Sequence, residues 1–137
     1  MDELADRLAG LPLFVDLPGS RLSWIAHDFE EQLFPQGQRI LRQGLSGSGL
    51  YVVTDGEASV VIDGEERARL GRGDFFGEVS VLLGEAPTAD VVAVTPLRCL
   101  VVPEPQARGF LLANPEVMLR MLRVEARRLA ITLRWRA

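Results

Sequence analysis

The middle of this chain alternates apolar and polar residues over short runs. Gly, Pro and Asp-Gly pairs separate one run from the next between Phe29 and Val102. The pattern predicts seven or eight short β-strands, with strand-like runs at 29–34, 40–41, 50–53, 58–62, 67–70, 90–95 and 97–102. Because so many short strands are joined by tight turns, we expect a double-sheet roll or barrel.

Two Asp-Gly pairs flank the run Ala58–Ile62. Asp55-Gly56 precedes it and Asp63-Gly64 follows it. Asp-Gly between alternating apolar runs favours a two-residue type I′ turn, which requires positive φ. We therefore predict a β-hairpin at each pair.

On the N-terminal side of this region, the apolar residues follow helical spacing instead of a period of two. We predict an amphipathic helix over 2–9, ended by Gly10, and a second helix over 21–27 that Ser20 caps. The residues of the second helix expected to face inward are Leu22, Trp24, Ile25 and Ala26.

After Pro103 the pattern is helical again. We predict a short helix over 105–112 and a long one that has Asn114 as N-cap and Pro115 as first residue and runs to about Arg134. The long helix carries two apolar stripes, whereas one is enough to dock it. One stripe contains Leu119, Leu122, Ala126, Leu129 and Leu133, and the other contains Val117, Met121, Val124, Ile131 and Trp135. We expect a homodimer through the second stripe, or through the leucine stripe if the docking is reversed.

The segment 71–94 combines glycines, an aromatic pair and a short apolar turn. Gly71, Gly73 and Gly77 precede the turn, and Gly84 and Pro87 end it before a strand begins. The first amides of a helix have no intrahelical partners, and together with the helix dipole they favour an anion. This pattern is typical of a phosphate-binding turn.

Composition limits the classes of protein to which the chain can belong. The length of 137 residues, 47% of them apolar, suits one domain, and no apolar run approaches the roughly 18 residues of a membrane span. The acidic N-terminus is unlike a signal peptide, so we expect a cytoplasmic protein. The net charge of −4 divides unevenly, because residues 114–137 contain 6 Arg and 2 acids while the rest is acidic.

The sequence contains few residues that are suited to catalysis. His27 is the only histidine, and it lies in a predicted helix outside the strands. A metal-dependent roll needs several His and carboxylate ligands, and nucleophilic machinery would need the same histidine. Cys99 is the only cysteine, and its strand-like surroundings indicate a buried thiol. We expect neither an enzyme nor a metal or other cofactor.

The segment 73–89 resembles the phosphate-binding cassette of cyclic nucleotide-binding domains. The resemblance rests on Gly73-Asp74-Phe75-Phe76-Gly77-Glu78, a short helix, Gly84-Glu85 and Thr88-Ala89. It extends over nearly the whole chain, from Leu11-Pro12-Leu13-Phe14 to the last helix. That family includes the bacterial catabolite activator protein and the regulatory subunits of cAMP-dependent kinases.

The resemblance implies a mainly β fold with flanking α-helices, built on a double-stranded β-helix (jelly-roll) barrel. One domain would span 1–137, with N-terminal helices over 1–27, the roll over 28–102 containing the cassette at 71–89, and C-terminal helices over 103–137. The ligand would be cAMP or cGMP. The last helix would transmit the binding of this ligand and would form the dimer.

The same resemblance assigns residues to the ligand. Glu78 would accept from the ribose 2′-hydroxyl, and an Arg normally precedes the Thr-Ala pair to bind the cyclic phosphate. Pro87 occupies that Arg position here, so binding is expected to be weak. Arg42, Arg72 or an arginine of the last helix could supply the missing charge. The candidate ligand-binding residues are Phe76, Gly77, Glu78, Val79, Ser80, Pro87, Thr88, Ala89 and Thr132.

Each assignment has a structural alternative. Glu78 could simply favour a helix N-terminus, Thr88 could reflect β-propensity, and the arginines of the last helix could form a solvated face. Because of Pro87, the whole chain could be a ligand-free module for dimerisation or docking. The catabolite activator protein carries a DNA-binding helix-turn-helix after its long helix, and the chain ends at Ala137 where that domain would begin, so we expect no DNA binding by these residues.

Overall fold

The structure, a computed structural model, describes residues 3–45 and 49–136, and for 134–136 it describes the backbone alone. Eight strands lie between two N-terminal and two C-terminal helices, with one short helix among them. The elements are α1 (Glu3–Ala9), α2 (Gly19–Ala26), β1 (Glu30–Phe34), β2 (Arg39–Leu41), β3 (Gly49–Asp55), β4 (Ala58–Ile62), β5 (Glu65–Leu70), β6 (Phe75–Phe76), α3 (Glu78–Leu83), β7 (Asp90–Ala93), β8 (Leu97–Pro103), α4 (Glu104–Ala113) and α5 (Pro115–Arg136).

The strands form two four-stranded antiparallel sheets. The first has the order β1-β8-β3-β6, and the second has the order β2-β7-β4-β5. This arrangement confirms the predicted jelly-roll with flanking helices. Among the described strands no hydrogen-bonded pair joins the two sheets, so the roll is a pair of open sheets rather than a closed barrel.

The two central strands of the first sheet are buried on both faces. On β3, Leu50 and Val52 pack against the helices, whereas Val53 faces the second sheet. On β8, Val102 belongs to the helix side and Cys99 to the core between the sheets. Burial raises the pKa of the Cys99 thiol to about 12, as expected for the buried cysteine that the sequence predicted.

The two Asp-Gly pairs have different roles. Asp63 and Gly64 both have positive φ, 52° and 81°, and they join β4 to β5, so the hairpin predicted there is confirmed. The hairpin predicted at Asp55-Gly56 is wrong, because β3 pairs with β8 and β6 rather than with β4. This second turn carries the chain from one sheet to the other. A Cβ on Gly56 would lie 2.2 Å from the Pro96 carbonyl oxygen, so only glycine fits.

Two predictions about α2 are also wrong. The helix begins at Gly19 after Pro18, and no side chain caps it, so Ser20 is not its cap. Trp24 is 76% exposed, because the inward face is formed by residues at i, i+3 and i+4 and position 24 lies off that face. The buried residues of the helix are Leu22, Ile25 and Ala26.

Asn114 connects three helices where α5 begins. Its carbonyl accepts from the Met118 amide, so α5 starts at Pro115 as predicted. Its side chain has another role: Nδ2 donates to the Phe110 carbonyl at 2.9 Å, and Oδ1 accepts from Arg21 at 3.1 Å. The buried amide therefore holds α4, α5 and α2 together.

The helix α5 docks on the body through the stripe that contains Val117 and Met121. Both side chains are buried against the other helices, and Val124 is partly buried beside them. Ile131 belongs to the same stripe by spacing but is exposed, and the Trp135 side chain lies outside the described residues. The leucine stripe is not docked on the body, since Leu119, Leu122, Leu129 and Leu133 are exposed.

Candidate functional site

A cavity of about 220 Å³ opens between the second sheet, the cassette and α5. One wall is aliphatic and comes from the strands of the second sheet. Its side chains are Leu41, Val60, Ile62, Ala68, Leu70 and Val91. The opposite wall is formed by α3 and the loop 87–89, and α5 contributes Glu125 and Arg128. An apolar wall that faces a few polar groups is the usual composition of a small-molecule site.

Eight of the nine predicted ligand-binding residues line this cavity. They are Phe76, Gly77, Glu78, Val79, Ser80, Pro87, Thr88 and Ala89. Thr132 is not brought to it, because its hydroxyl donates to the Arg128 carbonyl at 3.0 Å on the exposed side of α5. The role of Thr132 in ligand binding stays a prediction.

The entry to α3 depends on the absence of a side chain at Gly77. This residue precedes the helix with a φ of 90°, and a Cβ there would lie 2.0 Å from the Gly49 carbonyl oxygen. Any other residue would push the cassette away from β3. Phe76 strengthens the same contact, since its ring stacks on Tyr51 with centroids 4.6 Å apart.

Glu78 is a carboxyl buried in the cavity wall, only 5% exposed. Its pKa is raised to about 8, mainly by burial and also by a hydrogen bond to Glu125 and the charge of Glu125, against the opposing effects of its own backbone amide and the charge of Arg128. Folding therefore favours the protonated form of Glu78. A protonated carboxyl can both donate and accept a hydrogen bond, which suits a ligand hydroxyl.

Arg128 brings a positive charge to the cavity, but that charge already has partners. Its Nη1 lies 3.2 Å from Oε1 of Glu125, and its guanidinium carbon lies 5.7 Å from the centroid of Phe75. The contact with Phe75 is within the range of a cation–π interaction. Arg128 thus joins α5 to the cassette through an aromatic face and to Glu125 through an ion pair.

Pro87 is buried in the wall and offers no donor. Its carbonyl accepts from the Gly44 amide at 2.8 Å, which fixes the loop against the turn after β2. Neither Arg42 nor Arg72 lines the cavity, and Arg72 donates to the Thr54 carbonyl at 3.2 Å instead. Of the arginines considered as substitutes for the missing charge, Arg128 reaches the cavity, while the Arg134 side chain lies outside the described residues.

Glu125 lines the cavity but is not among the residues predicted from the sequence. This residue lies 47 positions after Glu78, and no local motif connects the two. One signal was available: Glu125 is one of two acids in an otherwise basic segment, and it follows Val124 on the stripe that docks. An acid beside a docking face can reach the body of the protein.

Comparison with known proteins identifies the family of this architecture. The model of the family described as the cyclic nucleotide-binding domain matches residues 31–114. The cGMP-dependent protein kinase egl-4 of Caenorhabditis briggsae is 35% identical over 100 residues, which cover 69% of this chain and 13% of the kinase. The chain therefore spans a small part of that relative.

Two solved structures have the same fold. The catabolite activator protein of Thermus thermophilus matches with a TM-score of 0.77 and 32% identity, over 88% of this chain and 59% of its own. The regulatory subunit of a cAMP-independent protein kinase A from Trypanosoma cruzi, bound to guanosine, matches with a TM-score of 0.74 and 26% identity, over 87% of this chain and 43% of its own. Among the described residues, no helix has both the length and the hydrophobicity of a membrane span.

Proposed function

This chain belongs to the cyclic nucleotide-binding domain family, and from that premise we propose that it senses a ribose-containing ligand, cAMP or cGMP in the first instance. The observation that carries the proposal is the position of Glu78. A buried carboxyl in an apolar wall is costly unless it has a partner, and the ribose 2′-hydroxyl is a suitable one. The name of the Caenorhabditis relative and the guanosine of the Trypanosoma structure support a ribonucleoside-type ligand.

Each wall of the cavity has a role in this proposal. Glu78 accepts from or donates to the ribose, and the amides of Gly77, Val79 and Ser80 and the Thr88 hydroxyl face the phosphate of a cyclic nucleotide. The aliphatic wall of the second sheet receives the base. Because Pro87 lacks the charge of an arginine, we expect cyclic nucleotides to bind weakly.

The same cavity offers a route for signal transmission. Glu125 and Arg128 of α5 line it, so a ligand contacts the last helix directly. A ligand that replaces Glu125 as the partner of Glu78 would change the position that α5 prefers. The size of this response is limited by the difference in ligand affinity between the two positions.

We also propose a homodimer through the leucine stripe. Leu119, Leu122, Leu129 and Leu133 are exposed along one face of α5, whose other stripe is docked through Val117, Met121 and Val124. Two copies of one helix can bury such a face against each other by two-fold symmetry. The occupant is therefore a second copy of this chain.

Calorimetry with cAMP and cGMP tests the ligand proposal. We expect weak binding that Glu78→Ala lowers by about tenfold or more, as for loss of a hydrogen bond to a buried group. Glu116→Ala is the matched control, because Glu116 is an exposed acid of α5 away from the cavity. If neither cyclic nucleotides nor nucleosides bind at millimolar concentration while the protein stays folded, the ligand-free scaffold is the correct function.

A further inference from the structure

The charges that line the cavity do not suit an anion. Among the described lining residues, the ionisable side chains are Glu78, Glu125 and Arg128. Arg128 and Glu125 form an ion pair at 3.2 Å, so their charges largely cancel. The cavity is then neutral when Glu78 is protonated and negative when it is ionised. In neither state does it offer a net positive charge to a phosphodiester.

The backbone cannot replace that charge. The helix α3 has only six residues, and its first amides can donate hydrogen bonds but carry no net charge. A cyclic phosphate placed beside them would also lie in the cavity that holds two carboxyls. Burying an anion without a counter-charge is costly, and like charges nearby increase that cost.

The two carboxyls suit a different part of the ligand. Glu78 and Glu125 both line this cavity, so together they can bind two neighbouring hydroxyls. A nucleoside has free 2′- and 3′-hydroxyls on its ribose. In a 3′,5′-cyclic nucleotide the 3′-oxygen is esterified, so the ribose offers a single hydroxyl and the phosphate adds a negative charge.

We propose that the cavity selects an uncharged ribonucleoside over the corresponding cyclic nucleotide, and that Glu125 is the residue of α5 that determines this selection. The inference rests on the proposed function, because it requires a ribose ligand in the same cavity. Glu125 contributes in two ways. It provides a second acceptor for the diol, and it neutralises Arg128, the cation that a phosphate would otherwise use. The aliphatic wall accommodates the base, and a cavity of about 220 Å³ suits a small ligand.

Calorimetry on the wild-type chain provides the first test, with adenosine and guanosine compared with cAMP and cGMP. We expect each nucleoside to bind about tenfold tighter or more than its cyclic nucleotide, which corresponds to about 1.4 kcal/mol. The 2′-deoxy and 3′-deoxy nucleosides should each lose about tenfold, because each leaves one carboxyl without its hydroxyl.

Variants in which a glutamate is replaced by the neutral glutamine provide the second test. Glu125→Gln should reduce the preference for the nucleoside by about fivefold or more, since it removes a negative charge and releases Arg128 for the phosphate. Glu116→Gln should leave the preference unchanged, although it too removes an acid of α5 that pairs with an arginine, Arg120. Thermal unfolding of each variant confirms that the comparison is made on folded protein.

The outcomes separate this inference from the proposed function. If a cyclic nucleotide binds tighter than its nucleoside, or if Glu125→Gln leaves the preference unchanged, the inference is wrong and the ligand-sensing function stands. If no ribose ligand binds to the folded chain, both are wrong. Tighter nucleoside binding that depends on Glu125 and on both hydroxyls supports both.

Discussion

The two halves of α5 are held to the protein in different ways. In the first half, Val117 and Met121 are buried among the other helices. In the second half, counted from Glu125 onward, Leu129 and Leu133 are exposed, and the helix reaches the body through Glu125 and Arg128 at the cavity. Burying a side chain such as Met121 contributes about 1.5–3 kcal/mol, whereas an exposed ion pair within a helix contributes about 0.3–0.5 kcal/mol. The first half is therefore fixed by packing, and under the proposed function the second half is the part that a ligand would move.

The largest effect should come from removing the docking of the first half. Met121→Ala should lower the free energy of unfolding by about 2–5 kcal/mol, because it opens a space in a packed cluster. Leu122→Ala, one position along the helix and exposed, should change it by about 0.5 kcal/mol or less. Urea unfolding measures both. Equal losses would mean that α5 does not dock through the Met121 stripe.

The next effect concerns the carboxyl pair that connects the second half to the cassette. Because the pKa of Glu78 rises from 4.5 to about 8 on folding, the folded state binds an extra proton between these values. This contribution to stability is complete below pH 4.5 and is lost as pH rises through 8, a change on the order of a few kcal/mol.

Glu78→Gln isolates that contribution, since it keeps the shape of the side chain without the titration. The difference in unfolding free energy between wild type and variant should shift in favour of the variant as pH rises from 5 to 9. Chemical denaturation at several pH values measures it. A difference that stays constant with pH would show that Glu78 ionises in the folded protein as it does in water.

A smaller effect, on ligand binding, is expected from adding a positive charge to the cavity that the second half of α5 lines. Pro87→Arg should tighten the binding of cAMP or cGMP by up to about 2–3 kcal/mol, because a bidentate guanidinium can pair with the phosphate. The Pro87 carbonyl that accepts from Gly44 is backbone and is retained. Pro87→Ala removes the ring without adding charge and should give no such gain. Calorimetry that finds no gain with arginine would indicate that the phosphate does not lie beside residue 87.

The smallest effect on stability should come from the exposed leucines, although it should be large for assembly. Leu129→Asp should convert the proposed dimer to a monomer and change the unfolding free energy of the chain by only about 0.5 kcal/mol. Leu112→Asp is the control, since Leu112 is an exposed leucine of α4 outside the stripe. Sedimentation at micromolar concentration distinguishes the species, and a wild type that is already monomeric rules out the dimer.

Local patterns were predictable from sequence. Eight ligand-site candidates fall within positions 76–89, so one turn and one loop that are close in sequence supply them all. Asp63-Gly64 could also be predicted, because a two-residue turn depends on its own φ angles. These features depend on neighbours along the chain.

Features set by distant contacts were not predictable. Asp55-Gly56 has the same two residue types as the hairpin turn at Asp63-Gly64. However, β8 and β6 already occupy both edges of β3, so β4 cannot pair there. Glu125 reaches the cavity that Glu78 lines because of how α5 docks, and that docking depends on which of two similar stripes the helical cluster buries. The open sheets rather than a closed barrel are a further result of long-range pairing.

The burial of Cys99 gives the protein a kinetic reporter of its own. The thiol lies between the two sheets, and with a pKa of about 12 it forms almost no thiolate while the sheets stay together. A thiol reagent can therefore modify it only during an opening of that core, and the labelling rate measures how often the opening occurs. Since this is the only cysteine, no second site contributes to the signal. Labelling with and without a nucleoside would report whether occupancy of the cavity slows the separation of the sheets.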